Sequence, residues 1–343
     1  MSFKNKIIVI LCIAITAITL PMHSILNRPN ISSGKSAFAK VVIDKGDNLA
    51  EIANKLKTAK LVDSHDKFIW ACRILRMEKG FPAGVFTIPY GLSNRELIRR
   101  MLFYGANTGN VTIKEGWRAE QIAGKIAKKI GVDSTAFMEA VRDSVFIKEL
   151  GIEAPSLEGY LFPETYNLYL GAEPREAIKK MVAQFKKVFE PKLKYRAYQM
   201  GFSINQIITL ASIIEGEIIF SSEAPLVSAV YHNRLKQGMR LQADPTIQYI
   251  ITDGPRRLKY SDLKIDSPYN TYRRKGLPPG PVGNPGRRAI MAALYPAKVP
   301  YIYFVAKGDG YHYFNVTAEE HLADKRKFDE YRKKVARKRK NLN

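Results

Sequence analysis

A strand–glycine–helix pattern recurs along this chain and limits what it can build. Val41–Leu56 reads VVIDKGDNLAEIANKL, and Val111–Ile126 reads VTIKEGWRAEQIAGKI, with six identities in sixteen positions. β-Branched residues open each copy, a glycine turns the chain, and apolar residues then recur at helical spacing. Asn48 stands where a helix N-cap belongs, ahead of Leu49, Ile52, Ala53 and Leu56. A weaker third copy, FTIPYGLSNRELIRRML, runs over Phe86–Leu102. Repeated units of this size suggest small βα modules stacked together. Any strand–turn–helix shares the outline, so the pattern alone leaves both readings open.

The N-terminus bears on the compartment. Ile7–Leu20 carries no charge, and the apolar stretch extends to Leu26. That is about the ~20 residues a membrane-spanning helix needs. A cleaved signal peptide is the rival, with Ala37-Phe38-Ala39 as its A-x-A site, but that site lies far from the apolar core. A buried core helix is the third reading. Length favours an uncleaved anchor over residues 1–26, followed by a polar linker over 27–40. Lys4 and Lys6 precede the span while Arg28, Lys35 and Lys40 follow it, so flanking charge does not fix orientation. A short tail before a long domain is the layout of a signal anchor with the bulk exported.

The formal net charge is +23 in 343 residues. Such a field favours polyanions. Export weakens nucleic acid as the partner and leaves anionic lipid or an acidic wall polymer. Asp324–Asn343 alone carries ten basic and three acidic residues, as a solvated helix end or a contact for such a surface. With 46% hydrophobic and 25% charged residues, the chain is neither wholly disordered nor a multi-span membrane protein. Cys12 and Cys72 form no disulfide framework, and no Cys/His spacing suggests zinc. The five histidines read as structural or surface residues.

Glu215 stands out chemically. Ile204–Ile219 reads as a mostly apolar helix that carries Glu215 and Glu217. A carboxyl in apolar surroundings holds its proton to higher pH, as a general acid must. A buried glutamate paired with an arginine fits the same pattern. Residues 215 and 217 lie about 200° apart on a helix, so they face different ways. A Pro/Gly-rich stretch, Arg240–Pro300, follows and has the composition of a site-forming loop region. Glu158 and Tyr160 (in LEGYLFPETYN), Asn233, Gln242, Asp244, Asn270 and Tyr272 are candidate groove residues. Amides and carboxylates bind sugar hydroxyls, and aromatic rings stack on pyranose faces. Each of these residue types also serves turns and cores. Ala172–Ala197 reads as a basic amphipathic helix, and Ser222–Gly238 continues as helix. Tyr301–Ala306 and Tyr311–Asn315 read as a hairpin around Asp309-Gly310. There is no GxSxG, P-loop or GxGxxG, which weakens serine-hydrolase, NTPase and dinucleotide readings.

The segments LEGYLFPETYNLY, LASIIEGE, VYHNRLKQGMRLQADPTIQY, SPYNTYRRKGLPPGPVGNPG, AALYPAKVPYIYFVA and YHYFN occur in this order over Leu157–Asn315. In these the chain resembles the MltG/YceG-like endolytic murein transglycosylases of bacteria. The first βα unit and the helices after it also resemble a LysM domain, a module that binds N-acetylglucosamine polymers. The resemblance implies a single-pass protein of the cytoplasmic (inner) membrane with an extracytoplasmic catalytic domain. It implies cleavage of the MurNAc–GlcNAc β-1,4 bond within glycan strands, giving 1,6-anhydro-MurNAc ends and no need of a cofactor. It places the catalytic glutamate at Glu215 and suggests peptidoglycan synthases as partners. The family often continues with Lys and then Glu-Thr; here Gly216, Glu217 and Ile218 follow.

The expected fold is α+β. It comprises an N-terminal transmembrane helix, a small LysM-like βα module at 41–106, a linking βα region at 107–156, and a larger mixed α/β catalytic domain at 157–323. A basic tail at 324–343 completes the chain. A muramidase using a second carboxylate, Glu158 or Asp244, is one alternative function. A non-catalytic peptidoglycan-binding scaffold is another.

Overall fold

The computed structural model describes residues 5, 16–17, 19–30, 38–105, 107–170 and 172–340. The chain divides into two compact units. The first comprises Met1–Asn110, Lys128–Val132 and Asn167–Glu173; the second comprises Val111–Ala127, Asp133–Tyr166 and Pro174–Asn343.

The first unit runs β1 (Phe38–Ile43), α1 (Leu49–Thr58), α2 (His65–Ile74), β2 (Gly84–Pro89) and α3 (Asn94–Arg99). β1 and β2 pair antiparallel, from Phe38 opposite Pro89 to Ile43 opposite Gly84. Alternation turns Ala39, Val41 and Ile43 inward. Asn48 starts α1 with a capping box: its Oδ1 accepts from Ala50 N at 2.9 Å and Glu51 N at 3.0 Å, while Glu51 accepts from Asn48 N at 2.7 Å. Ile52, Ala53 and Leu56 then meet Phe68, Cys72, Phe86 and Leu97 in one core. The first and third sequence copies therefore share one sheet and form a single module rather than two stacked ones.

The expected membrane span, Ile7–Leu26, lies largely outside the described residues. Among the described residues, no helix is long and apolar enough to cross a membrane. Residues 19–27 are helical, and Leu26 is buried in the first unit's core, with Ile25 packed against that core. Asn94 Nδ2 donates to the Ile25 carbonyl at 2.9 Å. The last residues of the expected span thus serve protein packing.

The second sequence copy lies elsewhere. β3 (Thr108–Thr112) pairs with β4 (Thr165–Tyr169), and α4 (Ala119–Ile130) follows the Gly116 turn. α5 (Ser134–Arg142) and α6 (Ser144–Glu149) come between them. Residues 107–156, expected as a linking region, mostly cluster with the second unit. The long helix expected over Ala172–Ala197 is two helices, α7 (Pro174–Val188) and α8 (Pro191–Gln199). Pro191 lacks the N–H to continue α7 and instead occupies the first turn of α8.

At the centre of the second unit lies α9 (Ile204–Glu217), opened by a Ser203–Gln206 capping box. Ile207, Ile208, Leu210, Ala211, Ile213 and Ile214 are all fully buried. α10 (Ala224–Lys236), α11 (Asp244–Ile250) and α12 (Arg287–Leu294) pack around it. β5 (Tyr303–Ala306) and β6 (His312–Asn315) form the expected antiparallel hairpin. The basic α13 (Ala318–Lys340) packs on both strands.

Candidate active site

Glu215 lies near the C-terminal end of α9, half-buried directly after buried Ile213 and Ile214. The Pro/Gly loop is fastened beside it. Val282 N donates to Ser212 Oγ at 3.0 Å, which ties the loop to α9. Two residues on, fully buried Asn284 acts as a clamp. Its Oδ1 accepts from Gly159 N and Leu161 N, both at 2.9 Å. Its Nδ2 donates to the Trp117 carbonyl at 2.9 Å and to Glu158 Oε1 at 2.7 Å. Held this way, the loop points the Gly286 N–H at Glu215 Oε2, 2.9 Å away.

Burial raises the Glu215 carboxyl above its ordinary range, opposed by the Gly286 hydrogen bond. The nearby charge of Glu115 raises it further, and Arg288 lowers it. Oε1 has no hydrogen-bond partner among the described residues. Alongside lies a cleft of about 400 Å³, lined by Glu115, Trp117, Arg118, Gln121, Gly216 and Gln248 among others. Gly216 is a matter of space: a Cβ there would lie 2.7 Å from the Pro245 ring, against α11.

Glu217 faces a separate cluster, as its spacing from Glu215 requires. Its Oε1 accepts from Tyr231 OH at 2.8 Å. Burial raises its carboxyl to about 7, against the lowering effect of Tyr231. Asp244 accepts from Tyr272 OH at 2.5 Å beside this cluster. Gln242 is exposed, in a left-handed conformation (φ 51°) that few non-glycine residues adopt. Two hydrogen bonds to Thr271 hold it there: Gln242 N donates to Thr271 O at 3.1 Å and Ala243 N to Thr271 Oγ1 at 3.0 Å.

The other groove candidates are occupied structurally. Glu158 is buried, with Ala119 N at 3.1 Å from both oxygens, so it caps α4. Burial raises it to about 8, and the Ala119 N–H opposes this. Tyr160 is a core ring in edge contact with Phe185, its OH donating to Asn205 at 3.1 Å. Asn233 Nδ2 donates to the Val299 and Tyr301 carbonyls, both at 2.9 Å. Asn270 is fully buried and bonds the carbonyls of Leu263 and Ile265. Glu115, Asn284 and Gly286 are the neighbours that sequence reading missed. Gly286 and Asn284 lie in a GNPG turn that reads as a loop, and Glu115 lies a hundred residues upstream of the acid it adjoins. Among the described residues, no cluster of three or more His, Cys, Asp or Glu could hold a metal ion.

A mixed α/β chain with a half-buried glutamate next to a residue that lines a cleft has the makings of general acid–base chemistry. A family model described as the YceG-like family matches residues 41–327. An endolytic murein transglycosylase of Bacillus subtilis is 33% identical over 316 residues, covering 87% of each chain. An endolytic murein transglycosylase of Streptococcus pneumoniae is 27% identical over 323 residues; the match covers 85% of this chain and 58% of that protein. The crystal structure of a YceG-like protein from Listeria monocytogenes has a TM-score of 0.58 and 29% identity, covering 84% of this chain and 98% of that one. The chain belongs to the YceG-like family.

Proposed function

We propose that this protein is an endolytic murein transglycosylase that cuts the MurNAc–GlcNAc β-1,4 bond within glycan strands, with Glu215 as its acid and base. The carrying observation is the half-buried Glu215 carboxyl, one oxygen held by the Gly286 N–H, with its neighbours Glu115, Ser212 and Gly216 lining the cleft. The printed names of the B. subtilis and S. pneumoniae relatives support the reaction class.

The chemistry closes on one carboxyl. Oε2 is held by Gly286, so the proton rides on Oε1. Glu215 gives it to the departing glycosidic oxygen. The resulting carboxylate is stabilised by the Gly286 N–H and by Arg288. It then takes the proton of the 6-hydroxyl of the same MurNAc as that oxygen bonds the anomeric carbon. The product is a 1,6-anhydro sugar, Glu215 is again protonated, and no water is consumed. The nucleophile belongs to the substrate, so its proximity is built in. A hydrolase would need a second carboxylate. Of the two candidates for that role, Glu158 caps the α4 N-terminus and Asp244 accepts a hydrogen bond from Tyr272.

Gln242 and Asp244, on the stretch that Pro245 brings against Gly216, and Tyr272, which bonds Asp244, are the proposed glycan contacts. The apolar N-terminal run anchors the chain in the cytoplasmic membrane, ahead of Leu26, with the catalytic unit outside the cytoplasm. The β–α–α–β order of the first unit supports a LysM-like glycan-binding module. Synthases as partners rest on the family resemblance. The test is Glu215→Gln in the full-length protein, which keeps size and shape. It should release no soluble glycan from purified peptidoglycan while its circular dichroism matches wild type. Cleavage at the wild-type rate would refute the assignment.

A further inference from the structure

The turn of the second strand–glycine–helix copy carries a charge that the mechanism above does not use. Lys114-Glu115-Gly116 joins β3 to α4. This turn is laced to the Pro/Gly loop. Gly116 N donates to the Asn284 carbonyl at 2.8 Å, and Asn284 N donates to the Trp117 carbonyl at 2.9 Å. A Cβ on Gly283 would lie 2.7 Å from the Gly116 carbonyl oxygen, so the two backbones touch.

Glu115 follows the same contact. A Cβ on Gly286 would lie 1.8 Å from Glu115 Oε1 and 2.3 Å from its carboxyl carbon. The side chain therefore lies over the Gly286 Cα, in space that any other residue would fill. Gly286 has φ −76° and ψ 172°, a conformation open to every residue. The missing Cβ leaves room, and Glu115 takes it. Gly286 is also the residue whose N–H holds Glu215. One glycine thus separates two carboxyl groups.

Among the described residues, Glu115 has neither a hydrogen-bond nor an ion-pair partner. A like charge beside a half-buried carboxyl works against folding, and such arrangements gather at functional sites. At the aligned position of the first copy the chain carries Lys45 instead. The charged groups acting on Glu215 are Glu115 from this turn and Arg288 from α12, with opposite signs. Glu217, on the same helix, is engaged with Tyr231. Glu120 and Arg118 line the cleft beyond Glu115, and Arg118 is bound to the Gln248 and Tyr249 carbonyls.

We propose that Glu115 is a positioning residue of the reaction, acting through Glu215: its carboxylate is seated over Gly286, the glycine whose N–H holds Glu215, and sets its negative charge against the positive charge of Arg288. The inference rests on Glu215 as the acid. It also explains what the second βα copy does, since its turn delivers this charge.

The test uses the full-length protein on purified peptidoglycan, following kcat/KM from pH 5 to 9. Activity needs protonated Glu215, so the alkaline limb reports its titration. Glu115→Gln keeps the shape and removes the charge. The limb should move down by about 0.5–1 pH unit, the size of a like-charge effect at this range, with little change at pH 5. Gly286→Ala keeps both carboxyls but evicts Glu115 from its seat, and should move the limb the same way. A uniform loss at every pH, or an unmoved limb in both variants, overturns the proposal. Titration of the Glu215 carboxyl by ¹³C NMR, assigned by its loss in Glu215→Gln, reads the coupling without turnover. A downward shift in Glu115→Gln supports it and no shift overturns it, whether or not the wild type cleaves.

Discussion

Asn284 holds the site together, and replacing it with alanine has a calculable cost. Four side-chain hydrogen bonds disappear, but their partners fare differently. The Trp117 carbonyl keeps the Asn284 backbone N–H, and Glu158 keeps the Ala119 N–H. The Gly159 and Leu161 N–H groups lose the acceptor that held both of them. Stranding a buried donor costs about 1–3 kcal/mol, so Asn284→Ala should cost about 2–5 kcal/mol. In a unit of this size that is a fall in melting temperature of roughly 5–15 °C. Hydrogen exchange reads the mechanism directly, because Gly159 and Leu161 should lose protection before the α9 core does. Activity should fall as well, since the same clamp sets where Gly286 presents its N–H to Glu215. Asn284→Asp retains the acceptor for both amides but faces Glu158 with a carboxylate, so its deficit should grow as pH rises. A cost below about 1 kcal/mol for Asn284→Ala, or unchanged protection at Gly159 and Leu161, would refute the clamp.

Two other perturbations test neighbouring contacts. Gly216→Ala should gain helix propensity but push the Pro245 ring, for a net loss of about 1–2 kcal/mol and a raised KM as the Gln242–Asp244 stretch shifts. A stabilised variant with unchanged KM would show that propensity alone governs that position. Glu217→Gln should change how stability depends on pH. The folded carboxyl is raised to about 7 from its ordinary 4.5, so its contribution is full below about pH 4.5 and is lost as pH rises to about 7. The variant lacks this loss, so its stability relative to wild type should improve by about 2–3 kcal/mol between pH 5 and pH 8 in urea unfolding. Parallel curves would contradict the buried acid.

Local signals were legible in the sequence where the chain's own neighbours create them. Asn48 caps α1 using Ala50 and Glu51, two and three residues away, and the Asp309-Gly310 hairpin is equally local. The apolar run around Glu215 is likewise local and marks a buried helix, but the Gly286 N–H that holds its carboxyl comes from 71 residues away. Helix breaking at Pro191 was also written locally, yet the amphipathic period running through it masks the stop. Glu158 and Tyr160 show what local reading cannot supply. Their aromatic and acidic setting looks like a groove, but Glu158 is fixed by Ala119, 39 residues away, and by Asn284, 126 residues away. Glu115 is invisible for the converse reason. Its turn looks like any Lys-Glu-Gly turn until Gly286 is brought beneath it. Leu26 ends an apolar run that reads as lipid-facing, and only tertiary packing assigns it to the first unit's core.

In the proposed reaction one carboxyl, Glu215, cuts glycan strands using the substrate's own 6-hydroxyl. Mass analysis of new glycan termini from a peptidoglycan digest, with wild type and Glu215→Gln compared, distinguishes this from hydrolysis. Wild type should give internal fragments ending in 1,6-anhydro-MurNAc, one water lighter than hydrolysis products, and the variant none. Reducing termini that carry the extra water would contradict it.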